Sequence, residues 1–268
     1  MKSIAFVALS ISALGALSGC AADATSEEDV SSQSAAIIKG TVDSTGLFRN
    51  VGSLITQRPD AIRSFCTGTL IAPKVVLTAA HCLAVVQPGA GLWVTFDLES
   101  RYSTSRLYPG RGVAHPEFSW SMNDTHDIAV VLLDEAPAGV TPARLPSADA
   151  YARKDLKNAL FTAVGYGHYE RVTGGGAATF LNDATRRYAD EVFSAKTASS
   201  LKLIAPKGFD DVAVTCNGDS GGPHFEKGTN IVASVTSTGD AACASADNTY
   251  RVDTASSRAF LSRFVALP

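Results

Sequence analysis

Short apolar runs recur along residues 37–268, split by turn residues. They include Val51-Gly52-Ser53-Leu54-Ile55, Thr69-Leu70-Ile71, Val75-Val76-Leu77, Leu92-Trp93-Val94-Thr95-Phe96, Ile128-Ala129-Val130-Val131-Leu132-Leu133, Phe161-Thr162-Ala163-Val164 and Ile231-Val232-Ala233-Ser234-Val235. The runs are rich in β-branched residues, with Gly, Pro, Asn and Asp between them, which predicts many short strands in an all-β barrel or sandwich. There is no βαβ alternation and no short fixed repeat. One helix is predicted at the end, capped by Thr254, with Phe260, Leu261, Phe264 and Val265 on one face. Residues 194–205 fit neither period clearly.

The first residues follow a different logic. Residues 1–19 carry Lys2, an apolar run from Ile4 to Leu17, and small residues before Cys20. That is an export signal, too short at its apolar centre to span a bilayer comfortably. Leu17-Ser18-Gly19-Cys20 resembles the lipobox of bacterial lipoproteins, in which the cysteine is lipidated; plain cleavage nearby, with Cys20 unlipidated, is the competing reading. Residues 20–36 are small, polar and acidic, so they read as a tether or pro-segment with no core to bury.

Charge excludes one class of partner. The net charge is -3, and no basic field invites nucleic acid. Of the 23 basic and 26 acidic residues, Lys2 and the four acids Asp23, Glu27, Glu28 and Asp29 precede residue 37, which leaves 22 of each sign in the body.

Three segments carry chemistry. In Cys216-Asn217-Gly218-Asp219-Ser220-Gly221-Gly222-Pro223 a serine sits between glycines, where a tight turn can expose its hydroxyl. The N–H groups of Gly218 and Ser220 can converge there on a carbonyl oxygen. Leu77-Thr78-Ala79-Ala80-His81-Cys82 places a histidine after an apolar strand and before a cysteine, and a serine hydroxyl needs such a base at neutral pH. Asp127 opens the apolar strand 128–133, where a partly buried carboxylate requires a partner such as an imidazole N–H. Asp124 competes for that role but lies in the turn. Taken singly, each segment has a plain structural reading: a turn, a core histidine, a strand cap.

In the order His81, Asp127, Ser220 the segments resemble the chymotrypsin-like, trypsin-fold serine peptidases; subtilisins and α/β-hydrolases use other orders. Ile37-Ile38-Lys39-Gly40, Cys66-Thr67-Gly68-Thr69-Leu70-Ile71 and Gly165-Tyr166-Gly167 agree, although Lys39 departs from the commoner Gly or Asn. The resemblance covers 37–268 as one peptidase domain. It implies two antiparallel six-stranded β-barrels with the site in the cleft between them, and a C-terminal helix. It implies a secreted serine endopeptidase acting on polypeptides through an acyl-enzyme: Ser220 attacks, His81 moves the proton and Asp127 orients His81. Thr236 falls where the family places a serine that supports the aspartate.

The resemblance also pairs Cys66 with Cys82 and Cys216 with Cys243, which leaves Cys20 for lipidation and an outer-membrane or released location. It implies a zymogen: cleavage between Ala36 and Ile37 would free an ammonium that pairs with Asp219, by this enzyme itself or by another. In the specificity pocket, Val214 stands where trypsins carry a selecting Asp. Thr238 stands where a wall glycine is usual, and Asn248 adds bulk, so a small uncharged residue is expected before the cut bond. No cofactor and no metal are expected, because neither zinc-type spacing nor an acidic calcium loop after Cys82 is present. A monomer is expected. An inactive binding module, or an acyl hydrolase or adhesin on the same fold, are the rival readings.

Overall fold

The computed structural model describes residues 37–57, 62–120, 123–172, 179–206, 214–239 and 242–268. The expected signal, the tether, Cys20 and the bond after Ala36 lie outside the described residues. A short strand β1 (Thr41–Val42) precedes two closed, six-stranded antiparallel barrels. The first barrel comprises β2 (Val51–Gln57), β3 (Ile62–Ala72), β4 (Val75–Thr78), β5 (Leu92–Thr95), β6 (Tyr108–Ala114) and β7 (Ala129–Leu133). Its order is β2-β3-β4-β7-β6-β5, closed by β2 pairing with β5. The second comprises β8 (Leu160–Gly165), β11 (Arg187–Lys196), β12 (Ser200–Ile204), β13 (Pro223–Glu226), β14 (Val232–Gly239) and β15 (Ala246–Arg251). It is closed by β8 pairing with β11, and β1 extends it at Thr41 and Val42. A side hairpin joins β9 (Glu170–Val172) to β10 (Thr179–Leu181).

The apolar runs do not alternate with polar residues because both faces of their strands are covered. On β7, Val130 joins a core shared by the two barrels, while Val131 and Leu133 face the interior of the first. On β4, Leu77 and Val76 divide in the same way. The shared core couples Val51, Leu77 and Val130 to Val164, Tyr166 and Val235 of the second barrel, so the barrels pack as one body. Phe161, Leu201, Leu203 and Ala233 fill the second interior.

Helix α1 (Ala80–Ala84) follows β4, and α2 (Ala150–Arg153) lies between the barrels in sequence. Helix α3 (Ala255–Leu261) is capped by Thr254, whose side chain accepts from the Ser257 N–H. It is shorter than its apolar face predicted: Phe264 and Val265 follow the helix, yet both still pack on the shared core. The ambiguous stretch 194–205 resolves into the end of β11, a turn and β12.

Candidate active site

The geometry brings His81, Asp127 and Ser220 to the seam between the barrels. β4 ends at Thr78, and α1 begins immediately, placing His81 in its first turn. That turn leaves backbone N–H groups without intrahelical partners. Asp127, wholly buried, supplies one: its Oδ1 accepts the His81 backbone N–H at 2.9 Å. Its Oδ2 faces His81 Nδ1 at 2.8 Å. A carboxylate can only accept here, so Nδ1 donates and Nε2 keeps its lone pair for a proton. Asp124 does not compete: its Oδ1 accepts from the Tyr250 hydroxyl at 2.8 Å and from the His126 N–H at 3.1 Å.

Ser237 completes the carboxylate, donating from Oγ to Asp127 Oδ2 at 2.5 Å. This corrects the assignment of that support to Thr236, whose hydroxyl instead donates to the Gly222 carbonyl at 3.3 Å. The cause is a bulge. Thr236 pairs with Thr249 and Thr238 with Asn248, so Ser237 is an extra residue on β14 and its side chain turns toward the first barrel. Sequence counting cannot see a one-residue insertion in a ladder.

Ser220 is held from across the seam. Its carbonyl accepts from the Thr67 N–H at 2.9 Å and lies 3.5 Å from Cys82 Sγ, which in turn lies 3.8 Å from His81 Nε2. The Ser220 hydroxyl makes no hydrogen bond to His81 among the described residues; such contacts often tighten only around substrate. Gly221 has φ +78°, and a Cβ there would fall 2.1 Å from Thr78 Oγ1 and 2.7 Å from the Thr67 carbonyl. Only glycine lets the loop that carries Ser220 meet the first barrel so closely. Thr67, part of a motif the sequence marked but given no role there, also donates from its hydroxyl to the Gly218 carbonyl at 2.9 Å, bracing the loop that carries the Gly218 and Ser220 amides. Both expected disulfide pairs are present, Cys66–Cys82 behind His81 and Cys216–Cys243 beside the pocket.

Asp219 is fully buried, with its carboxylate accepting from the N–H groups of Gly167 at 2.8 Å and Cys216 at 2.9 Å. Burial pushes its carboxyl up to about 7, against the pull of those two N–H groups. The carboxylate explains Gly165 and Gly167: a Cβ on either would approach its oxygens to 2.0 and 2.5 Å. Ile37 is fully buried as well and has φ +52°, a left-handed conformation that costs a β-branched residue dearly. Its neighbour Ile38 donates to the Val214 carbonyl at 3.0 Å.

Beside Ser220 lies a pocket of ≈ 100 Å³ lined by residues including Thr215, Asn217, Thr236, Ser237, Thr238 and Gly239, with no charged side chain among them. Three expectations change. Val214 is wholly buried in a cluster with Ile38 and the Cys216–Cys243 bridge and does not line the pocket; Thr215 does. The bulge moves Gly239 into the wall, so Thr238 does not stand in place of the glycine; it forms a ridge shared with a neighbouring cleft. Asn248 lines that cleft of ≈ 310 Å³, not the pocket. Trp120, absent from the sequence-based candidates, lines the same cleft, is 55% exposed, and tilts its ring 5.5 Å from that of His81.

Two linked antiparallel barrels with a histidine, a buried aspartate and a serine gathered at their seam define the class of chymotrypsin-fold proteins. Residues 37–261 match the family model described as Trypsin, and the chain belongs to that family. It is 32% identical over 199 residues to a trypsin of Saccharopolyspora erythraea, covering 68% of this chain and 78% of that protein. It is 29% identical over 203 residues to a venom serine protease of Polistes dominula, covering 70% and 69% respectively. Among solved structures, HL collagenase superposes with a TM-score of 0.64 at 22% identity, over 85% of this chain and 98% of that one, which speaks to the fold alone.

Proposed function

We propose that this chain is an exported serine endopeptidase made as a zymogen. Ser220 attacks the peptide carbonyl, His81 accepts its proton at Nε2 and delivers it to the leaving amine, and Asp127 holds the imidazole and stabilises its charged form. The developing oxyanion is received by the Gly218 and Ser220 amides. The observation that carries this reading is the doubly bound Asp127, which grips His81 by ring and backbone at once.

Activation follows from the other buried carboxylate. Cleavage after Ala36 turns Ile37 into a chain terminus, which abolishes its φ and the strain with it. The ammonium so formed gives the unpaired charge of Asp219 a partner. The small pocket, uncharged among the described residues, would select a small uncharged residue before the cut bond, and Ala36 itself fits that description. Export, and lipidation at Cys20, are proposed on the sequence of residues 1–20.

A fluorophosphonate probe tests the assignment. The protein cleaved before Ile37 should label, and Ser220→Ala should neither label nor hydrolyse peptides, a loss of roughly 10⁵-fold or more. Cleaved protein that folds but takes up no probe would make the chain an inactive binding module. Cleavage of a peptide library reads the pocket in the same preparation.

A further inference from the structure

Among the described residues three groupings of potential metal ligands occur. The first, Cys66, His81 and Cys82, holds two disulfide-bonded cysteines and no thiolate. In the second, His115 and His126 both turn a ring nitrogen to the Ser256 hydroxyl, and Glu117 is exposed. The third differs in kind. Glu191 on β11, His224 on β13 and Asp247 on β15 all point into the second barrel and are 0%, 0% and 1% exposed. His224 Nε2 lies 3.1 Å from Glu191 Oε2 and 4.0 Å from Asp247 Oδ2. Among the described residues, both ring nitrogens of His224 lack a hydrogen-bond partner, so the 3.1 Å approach is a convergence and not an aligned bond. The Glu191 and Asp247 carboxyls find each other only if they share a proton; with both ionised, both Glu191 oxygens and Asp247 Oδ1 have no donor. An interior does not ordinarily leave such atoms unpaired.

We infer that Glu191, His224 and Asp247 form a binding site for one divalent transition-metal ion of the zinc class, beneath the specificity pocket. The ligand atoms lie within 4.8 Å of one another, with the imidazole nitrogen 3.1 and 4.0 Å from the two carboxylates, so a closing shift of a few tenths of an ångström brings all three to the about 2.0–2.2 Å of zinc–nitrogen and zinc–oxygen bonds. One imidazole with two carboxylates suits zinc; calcium asks for roughly six to eight oxygens, which this interior does not offer. A dication at this point would hold both carboxylates in their charged form and take the imidazole lone pair. The site also reaches the pocket: Asp247 Oδ2 accepts the N–H of Thr215, a lining residue, at 3.0 Å. The three ligands come from three separate strands, which is why no ligand spacing marks them in the sequence. The inference is independent of the proposed peptidase activity.

The test is metal content and its ligands. The chain is produced with zinc supplied during folding, passed over a sizing column in chelator, and its zinc measured by mass spectrometry. One ion per chain is expected, with melting raised by roughly 5 °C over the zinc-free preparation. Cobalt in place of zinc should give visible d–d absorption. His224→Gln and Glu191→Gln should lose the ion, while His81→Asn and His115→Asn keep it. Zinc-free protein with unchanged melting would overturn the site and leave two carboxyls sharing a proton. Metal retained in folded His224→Gln would overturn it equally. Should those variants not fold, X-ray absorption on the wild-type zinc protein decides: one imidazole with oxygen ligands supports the site, and any sulfur or second imidazole refutes it.

Discussion

At the scale of single residues, the site depends on how many groups hold one carboxylate. Asp127 takes three hydrogen bonds, from the His81 backbone, the His81 ring and Ser237. Ser237→Ala removes the shortest. A bond to a charged group contributes about 1.5–3 kcal/mol to the fold, so melting should fall by several degrees, and to the extent that Asp127 is displaced kcat/KM should fall roughly 10- to 100-fold. Steady-state kinetics on the cleaved enzyme checks this, and full activity would show that His81 alone positions Asp127. The three residues proposed as a triad were legible in the sequence because each stands in a distinctive local string. Ser237 and Trp120 were not, and Thr67 stood in a recognised segment without a role, since what these residues do depends on contacts across the seam. Ser237 follows Thr236 directly, and only the bulge in β14 tells the two apart.

At the scale of elements, strands were legible wherever both faces are buried, because a closed barrel packed on another demands continuous apolar runs, as on β7. Polar or mixed strands such as β9, β12 and the exposed end of β11 carry a weaker signal, and 194–205 stayed ambiguous for that reason. The C-terminal helix was legible from its cap. Thr254 Oγ1 accepts the Ser257 N–H at 3.2 Å, and α3 presses Phe260 and Leu261 into the shared core. Thr254→Ala should cost about 1 kcal/mol. For a domain of this size that lowers melting by roughly 2–4 °C, readable by calorimetry, with kcat unaltered. An unchanged melting temperature would mean that the core contacts of Phe260 alone hold the helix.

At the scale of the whole molecule, the two ends of the body are linked through one proton. The Asp219 carboxyl stands at about 7 in the folded chain against an ordinary value of 3.8, because burial penalises its charge. A carboxyl raised on folding is bound to its proton more tightly in the native state than in the unfolded one. Its stabilising contribution is therefore complete below about pH 4 and is lost as pH rises through about 7. The uncleaved chain should accordingly melt lower at pH 7.5 than at pH 4.5, by roughly 5 °C or more. Asp219→Asn should flatten that slope. Cleavage before Ile37 changes the sign of the argument. An ammonium beside Asp219 favours the carboxylate, pulls its titration down, and makes the charged form the stabilising one across the neutral range. Melting curves from pH 4.5 to 7.5, on cleaved and uncleaved protein with and without Asp219→Asn, separate these contributions. If the cleaved chain keeps the uncleaved slope, the new terminus does not reach Asp219, and the loop around Ser220 is organised by Thr67 and the Gly167 amide without it.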